Sequence, residues 1–223
     1  MQFKNGAEVF SGDGEKIGTL RRIVIDPRTR EVSNLVVEKG FLFKTDKVIP
    51  ITLVDLGIED RIILKKTNQD ILEEFPDFES TYYVPIDQPD NPYQDDIEAS
   101  YLYPPLHLGW TTGGHVGYPL PQYVLKTEQD IPEGTVALEE GAKVISRDGE
   151  HVGNVEEIMT ESQEERVTHF VVSEGLLLKE RKLIPAVWIE SVTEDEIHLS
   201  VNAGVFERLP AYQPTDRNAE QRR

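Results

Sequence analysis

The residues able to do chemistry are sparse and poorly arranged for it. The histidines are His107, His115, His151, His169 and His198, and none stands in an HExxH or comparable metal-ligand spacing. His107 and His115 share a Gly-rich stretch and form the one pair that could meet on a metal. Carboxylates are abundant, yet Glu156-Glu157 and Glu164-Glu165 are neighbours in segments that read as strand and turn, and adjacent strand residues point to opposite faces. That geometry does not make an acid/base pair. There is no cysteine, which removes thiolate ligands, disulfides and cysteine nucleophiles together. No Ser-His-Asp set can be chosen without arbitrariness. The loop Gly12-Asp-Gly-Glu-Lys-Ile-Gly18 invites a phosphate-binding reading, but it misses GxGxxG spacing by one residue and no βαβ unit surrounds it. These residues point to a protein that is not an enzyme and has no cofactor.

Charge and hydropathy narrow the class further. The chain has 223 residues and a net charge of −18, which speaks against direct nucleic-acid binding, since phosphate contacts need clustered Lys and Arg. It favours partners with basic patches. No window approaches the ~18 consecutive apolar residues of a membrane helix, so no membrane insertion is expected. The opening MQFKNGAEVF lacks a basic stretch followed by an apolar one, and the expected location is cytoplasmic.

What must position any site is a repeat. Shifted by 135, residues 5–66 lie on residues 140–201 without a gap, with 22 identities among the 62 pairs. LVVEKGFLFKTDKVIP over 35–50 returns as FVVSEGLLLKERKLIP over 170–185. After a one-residue deletion, LEEFPDF falls on FERLPAY. The expected organisation is module one over 1–78, a Pro/Tyr/Gly/Asp-rich linker over 79–135, module two over 136–213 and a polar tail over 214–223. The linker shows no helical or strand period, and its aromatics are expected to pack against the modules.

Within module one, Ala7–Phe10 reads as a strand, Asp13-Gly14 as a tight turn and Lys16–Asp26 as a long strand. The spacing of Leu20 and Ile23 breaks strict alternation, which predicts a bulge at Arg21–Arg22. Asp26-Pro-Arg-Thr-Arg is a turn, and Glu31–Lys39 pairs back. Gly40 ends that strand, Phe41–Phe43 covers the core, and Pro50 interrupts the ladder after Lys47–Ile49. A hairpin over 51–65 and a short helix over Asn68–Glu74 complete the unit. Short strands at roughly ten-residue spacing predict an all-β fold.

The order IGTLRRIVIDPRTREVSNLVV, Gly-aromatic-leucine loop, KVIP and LEEFPDF resembles the PRC-barrel domain. The second module matches through HVGNVEEIMTESQEERVTHFVV, GLLLKERKLIP, EIHLSV and FERLPAY. This family includes the cytoplasmic domain of the photosynthetic reaction centre H subunit and the C-terminal domain of a ribosome-maturation factor. The resemblance implies two small antiparallel β-barrels, each ending in a short helix and joined by a long irregular linker. It also implies modules that dock onto other proteins without shared catalytic residues.

The copies differ most in charge. Module one has Arg21, Arg22, Arg28 and Arg30 where module two has Glu156, Glu157, Gln163 and Glu165. Such faces could meet within a chain or between chains, giving self-association through complementary charge. The expected function is a protein-binding adaptor or regulatory module. An alternative is a small-ligand or metal sensor using a cleft between the modules lined by Tyr103, Trp110 and Tyr118. A third reading has the arginine-bearing face of module one docking on a ribonucleoprotein.

Overall fold

The computed structural model describes residues 1–39, 45–58, 60–67, 75–85, 123–161, 165–174 and 180–213. Module one and its approach carry β1 (Gln2–Lys4), β2 (Glu8–Phe10), β3 (Lys16–Ile25), β4 (Val32–Lys39), β5 (Thr45–Pro50), β6 (Val54–Ile58) and β7 (Arg61–Leu64). An arm follows, β8 (Glu79–Pro85) paired with β9 (Tyr123–Gln129). Module two carries β10 (Val136–Glu139), β11 (Lys143–Ile145), β12 (His151–Thr160), β13 (Val167–Glu174), β14 (Glu180–Pro185), β15 (Ile189–Val192), β16 (Glu196–Leu199) and the helix α1 (Ala203–Glu207).

Each module builds a sheet in the same order, β5-β4-β3-β2-β7-β6 in the first and β14-β13-β12-β11-β16-β15 in the second. Two features depart from the expected closed antiparallel barrels. The β2–β7 and β11–β16 pairs are parallel, and each sheet is an open path whose end strands are not paired to each other. The reason begins at proline. Pro50 and Pro185 end β5 and β14, and a single 3-10 turn, Ile51–Leu53 or Ala186–Trp188, redirects the chain toward the opposite end of the sheet. The outer edge of β5 is covered instead by the segment after position 75. Val48 N–H donates to the Pro76 carbonyl at 3.1 Å, and Phe78 N–H donates to the Asp46 carbonyl at 2.7 Å. In module two Tyr212 N–H caps Arg181 in the same manner.

The bulge falls where the alternation broke. Pairing jumps from Leu20↔Val37 to Arg22↔Val36, leaving Arg21 extra, and from Val155↔Val172 to Glu157↔Val171, leaving Glu156 extra. Leu20 and Ile23 therefore both face the core while Arg21 and Arg22 do not.

One arrangement was not legible in the repeat. The strand leading into each module pairs with the other module. β1 lies antiparallel on β12, with Phe3 opposite Ile158, and β10 lies antiparallel on β3, with Leu138 opposite Ile23. These are equivalent pairs of the repeat. At the hinges Gly6 (φ 70°) and Gly141 (φ 74°) adopt the left-handed conformation that turns the chain from the foreign sheet into its own. Phe3 and Leu138, 0% and 2% exposed, are buried within one apolar core that runs through both modules. A smaller cluster of Val24, Val36 and Val48 is covered by Phe78 and Ala137.

Residues 1–78 and 131–223 constitute one compact unit and 79–130 a second. The linker, expected to lack strands, contributes the β8–β9 ladder, whose Tyr83 is 62% exposed. Only module two's terminal helix is described. The helix expected over 68–74 and the apolar triplets 41–43 and 176–178 lie outside the described residues.

Candidate functional site

The sign-reversed positions sit beside the exchanged strands. Arg22 reaches Glu139 Oε1 at 2.7 Å and Glu194 Oε2 at 3.3 Å, and its guanidinium lies 5.3 Å from the centre of the Phe78 ring. Arg21 reaches Glu38 at 2.9 Å and Glu140 at 3.4 Å. Thus Arg21 and Arg22 do meet carboxylates of module two, but on β10 and its neighbours, not Glu156 and Glu157. Those two are held by Arg181, which bonds Glu156 and stands 3.9 Å from Glu157. Arg181 replaces Asp46 of module one, so the inversion extends to the neighbouring strand.

Arg30 and Glu165 come together through the backbone. Val167 N–H donates to the Arg30 carbonyl at 2.8 Å, and Val32 N–H donates to the Glu165 carbonyl at 3.0 Å. Arg28 closes the turn after β3, where its N–H donates to Asp26 Oδ1 at 2.7 Å. This bond and a second from Thr29 hold the Asp26 carboxyl below the usual carboxylate range. Gln163, Tyr103, Trp110, Tyr118, His107 and His115 lie outside the described residues, so the cleft of the sensor reading has no described wall from the linker. Among the described residues no three His, Asp or Glu side chains stand close enough to hold a metal ion. No described helix is long and apolar enough to cross a membrane.

The glycine loop has a structural occupation. A Cβ on Gly18 would stand 2.1 Å from the Glu38 carbonyl oxygen, and one on Gly153 2.6 Å from that of Ser173. Both glycines therefore permit the close approach of the neighbouring strand. In module two the turn also serves the helix: Asp148 Oδ1 accepts from Ser146 Oγ at 2.6 Å and from Ala203 N–H at 3.0 Å. Those two donors hold the Asp148 carboxyl below its ordinary range, the serine hydroxyl contributing most.

The Lys shared by KVIP and KLIP also gains a role. Lys182 is 3% exposed, and its Nζ donates to the Phe206 and Glu207 carbonyls at the end of α1, at 3.3 and 3.0 Å. Lys47 likewise donates to the Phe75 carbonyl at 2.9 Å. A cation at a helix C-terminus satisfies carbonyls that have no partner within the helix.

A second surface distinguishes the modules. Ladder pairing puts Glu8, Phe10, Ile63, Leu56, Arg61 and Ile58 on the outer face of β2–β7–β6. Leu56 and Ile58 are 42% and 50% exposed, and the Arg61 guanidinium stacks 4.7 Å from the centre of the Phe10 ring. The equivalent positions of module two are Lys143, Ile145, His198, Ser191, Glu196 and Thr193. The same sheet face has four apolar residues around a Glu8/Arg61 pair in one copy and is largely polar in the other. Sequence reasoning passed over this face because it sought charge differences; the signal was the loss of apolar residues on passing from 56–63 to 191–198.

A family model, the PRC-barrel domain, matches residues 5–71 and again 140–205, together more than half of the chain. The chain belongs to the PRC-barrel domain family and carries two copies of its module. A comparison with curated proteins gives no match.

Proposed function

We propose that the chain is a non-catalytic protein-binding adaptor that docks its partner on the outer face of β2–β7–β6. The observation that carries this reading is the asymmetry of that face: Phe10, Leu56, Ile58 and Ile63 are apolar where the second copy has mostly polar residues. Two copies of one fold need the same core, so a difference confined to an outward face is free to serve recognition. Exposed Asp55 and Asp60 flank the patch, and the chain carries −18 overall. The partner that fits is a protein with an apolar centre ringed by Lys or Arg, steered by charge and held by apolar burial.

The test is site-specific photocrosslinking in the full chain. A benzophenone side chain at Leu56 is expected to capture a discrete basic partner, and the same group at Ser191 is not. The substitutions I58T and I63H, which copy module two, should abolish the capture while leaving the melting temperature close to wild type. Absence of a product at Leu56, or the same products from both positions, overturns the reading.

A further inference from the structure

The exchange of leading strands raises a problem of selection. Each strand could in principle lie on its own module, because β1 and β10 are equivalent segments and β3 and β12 are equivalent edges. The apolar residues do not discriminate, since Phe3 and Leu138 would each find an isoleucine, Ile23 or Ile158, on either edge. The charges do. In the exchanged structure Lys4 stands opposite Glu157 and Glu139 opposite Arg22, so both pairs have opposite sign. On its own module Lys4 would stand opposite Arg22 and Glu139 opposite Glu157, so both pairs would have like sign. Directly opposite charges on neighbouring strands attract when unlike and destabilise when alike.

We propose that Lys4/Glu157 and Glu139/Arg22 form a two-letter charge code that assigns each leading strand to the other module. The half-edge of β3 that holds β10 is then a docking surface for a strand carrying a carboxylate, and that of β12 one for a strand carrying an amine. Glu140 and Glu194 reinforce the first site by reaching Arg21 and Arg22. Arg181 offsets one of the two carboxylates Glu156 and Glu157, which leaves the second site a net negative charge for Lys4. The reversal at positions 4, 22, 139 and 157 is thereby accounted for as a matched set, and the four must invert together. Module pairing in this chain is heterologous by charge although it is symmetric by backbone.

The absence of cysteine makes the full chain a clean background for a disulfide test. Gln2 stands opposite Met159 in the exchanged ladder, and the equivalent place on its own module is Val24. The pair Q2C/M159C should close rapidly under mild oxidation, and Q2C/V24C should not. Adding K4E and E139K inverts both strands of the code and should slow closure of the first pair about tenfold at low salt, with part of the rate returning in high salt. Adding R22E and E157R to that variant, with E194Q and R181Q so that neither new charge meets a like neighbour, restores unlike pairs and should restore the rate. Unchanged closure of Q2C/M159C in the K4E/E139K background overturns the proposal. So does a loss that this compensated variant fails to repair, because it would trace the effect to folding instead of pairing.

Discussion

Glu31 lies opposite Arg166 in an antiparallel bridge, and the two are the same position of the repeat, 135 residues apart. A position that pairs with its own counterpart marks a local two-fold axis. The bonds on either side obey it, from Val32 to Glu165 and from Val167 to Arg30, and both flanking residues take positive φ, 62° and 54°. The modules meet at this bridge and at the two exchanged strands.

A core shared in this way should melt as one. Calorimetry is expected to give a single transition whose calorimetric and van't Hoff enthalpies agree. Phe3→Ala should lower the unfolding free energy by about 3–5 kcal/mol, and Leu138→Ala by about 2–5 kcal/mol, each without splitting the transition. Two resolved transitions in either variant would show that the modules unfold independently.

Lys182 is enclosed, and removing its ammonium strands the last carbonyls of α1. Lys182→Met, which keeps the stem, should cost about 1–3 kcal/mol in urea unfolding. Amide exchange should then quicken most over 203–209. An equal rise in exchange across β12 and β13 would count against a local anchor.

Gly18→Ala and Gly153→Ala place a methyl group against a neighbouring strand's carbonyl. Each should destabilise by about 1–3 kcal/mol, as overpacking does. Gly14 has no neighbour for a Cβ to meet, but its φ of 88° still disfavours a side chain. Phosphate should not protect any of these variants against heat, since the glycines serve strand approach. A phosphate-dependent rise in melting temperature that Gly18→Ala abolishes would reverse that conclusion.

Asp148 links the turn to the helix, and its folded pKa lies below its unfolded value. A depressed carboxylate stabilises above its unfolded pKa, and that contribution is lost as pH falls through the folded pKa. The gap in melting temperature between wild type and Asp148→Asn should therefore be widest at neutral pH and close below about pH 4. A gap that is constant from pH 7 to pH 3 would remove the charge from the account.

The repeat, the turns, the bulge at Arg21 and the stop at Pro50 could all be read from residue types, because each rests on local chemistry within a few positions. The strand exchange could not. Gln2–Lys4 and Val136–Glu139 are short and look the same whichever edge receives them. Lys4 also falls one residue before the aligned segment, outside the reach of the repeat, so its inversion against Glu139 does not show there. The parallel β2–β7 pair was hidden for a similar reason, since a turn signal reports where the chain bends and not which strand it returns to. Lys47 and Lys182 were visible as repeated residues, but their partners lie 24 to 28 positions away, beyond any local pattern.

The crossing of β1 onto β12 also imposes an order on synthesis. β1 leaves the ribosome well before its ladder partner, which is made about 150 residues later, a delay of roughly 8–30 s at common translation rates. Through that interval the nascent N-terminal segment has no permanent berth, and the edge of β3 stays open until β10 emerges. The fold can close only once β12 has emerged, and a product that stops short of β10 keeps an unsatisfied half-edge on β3.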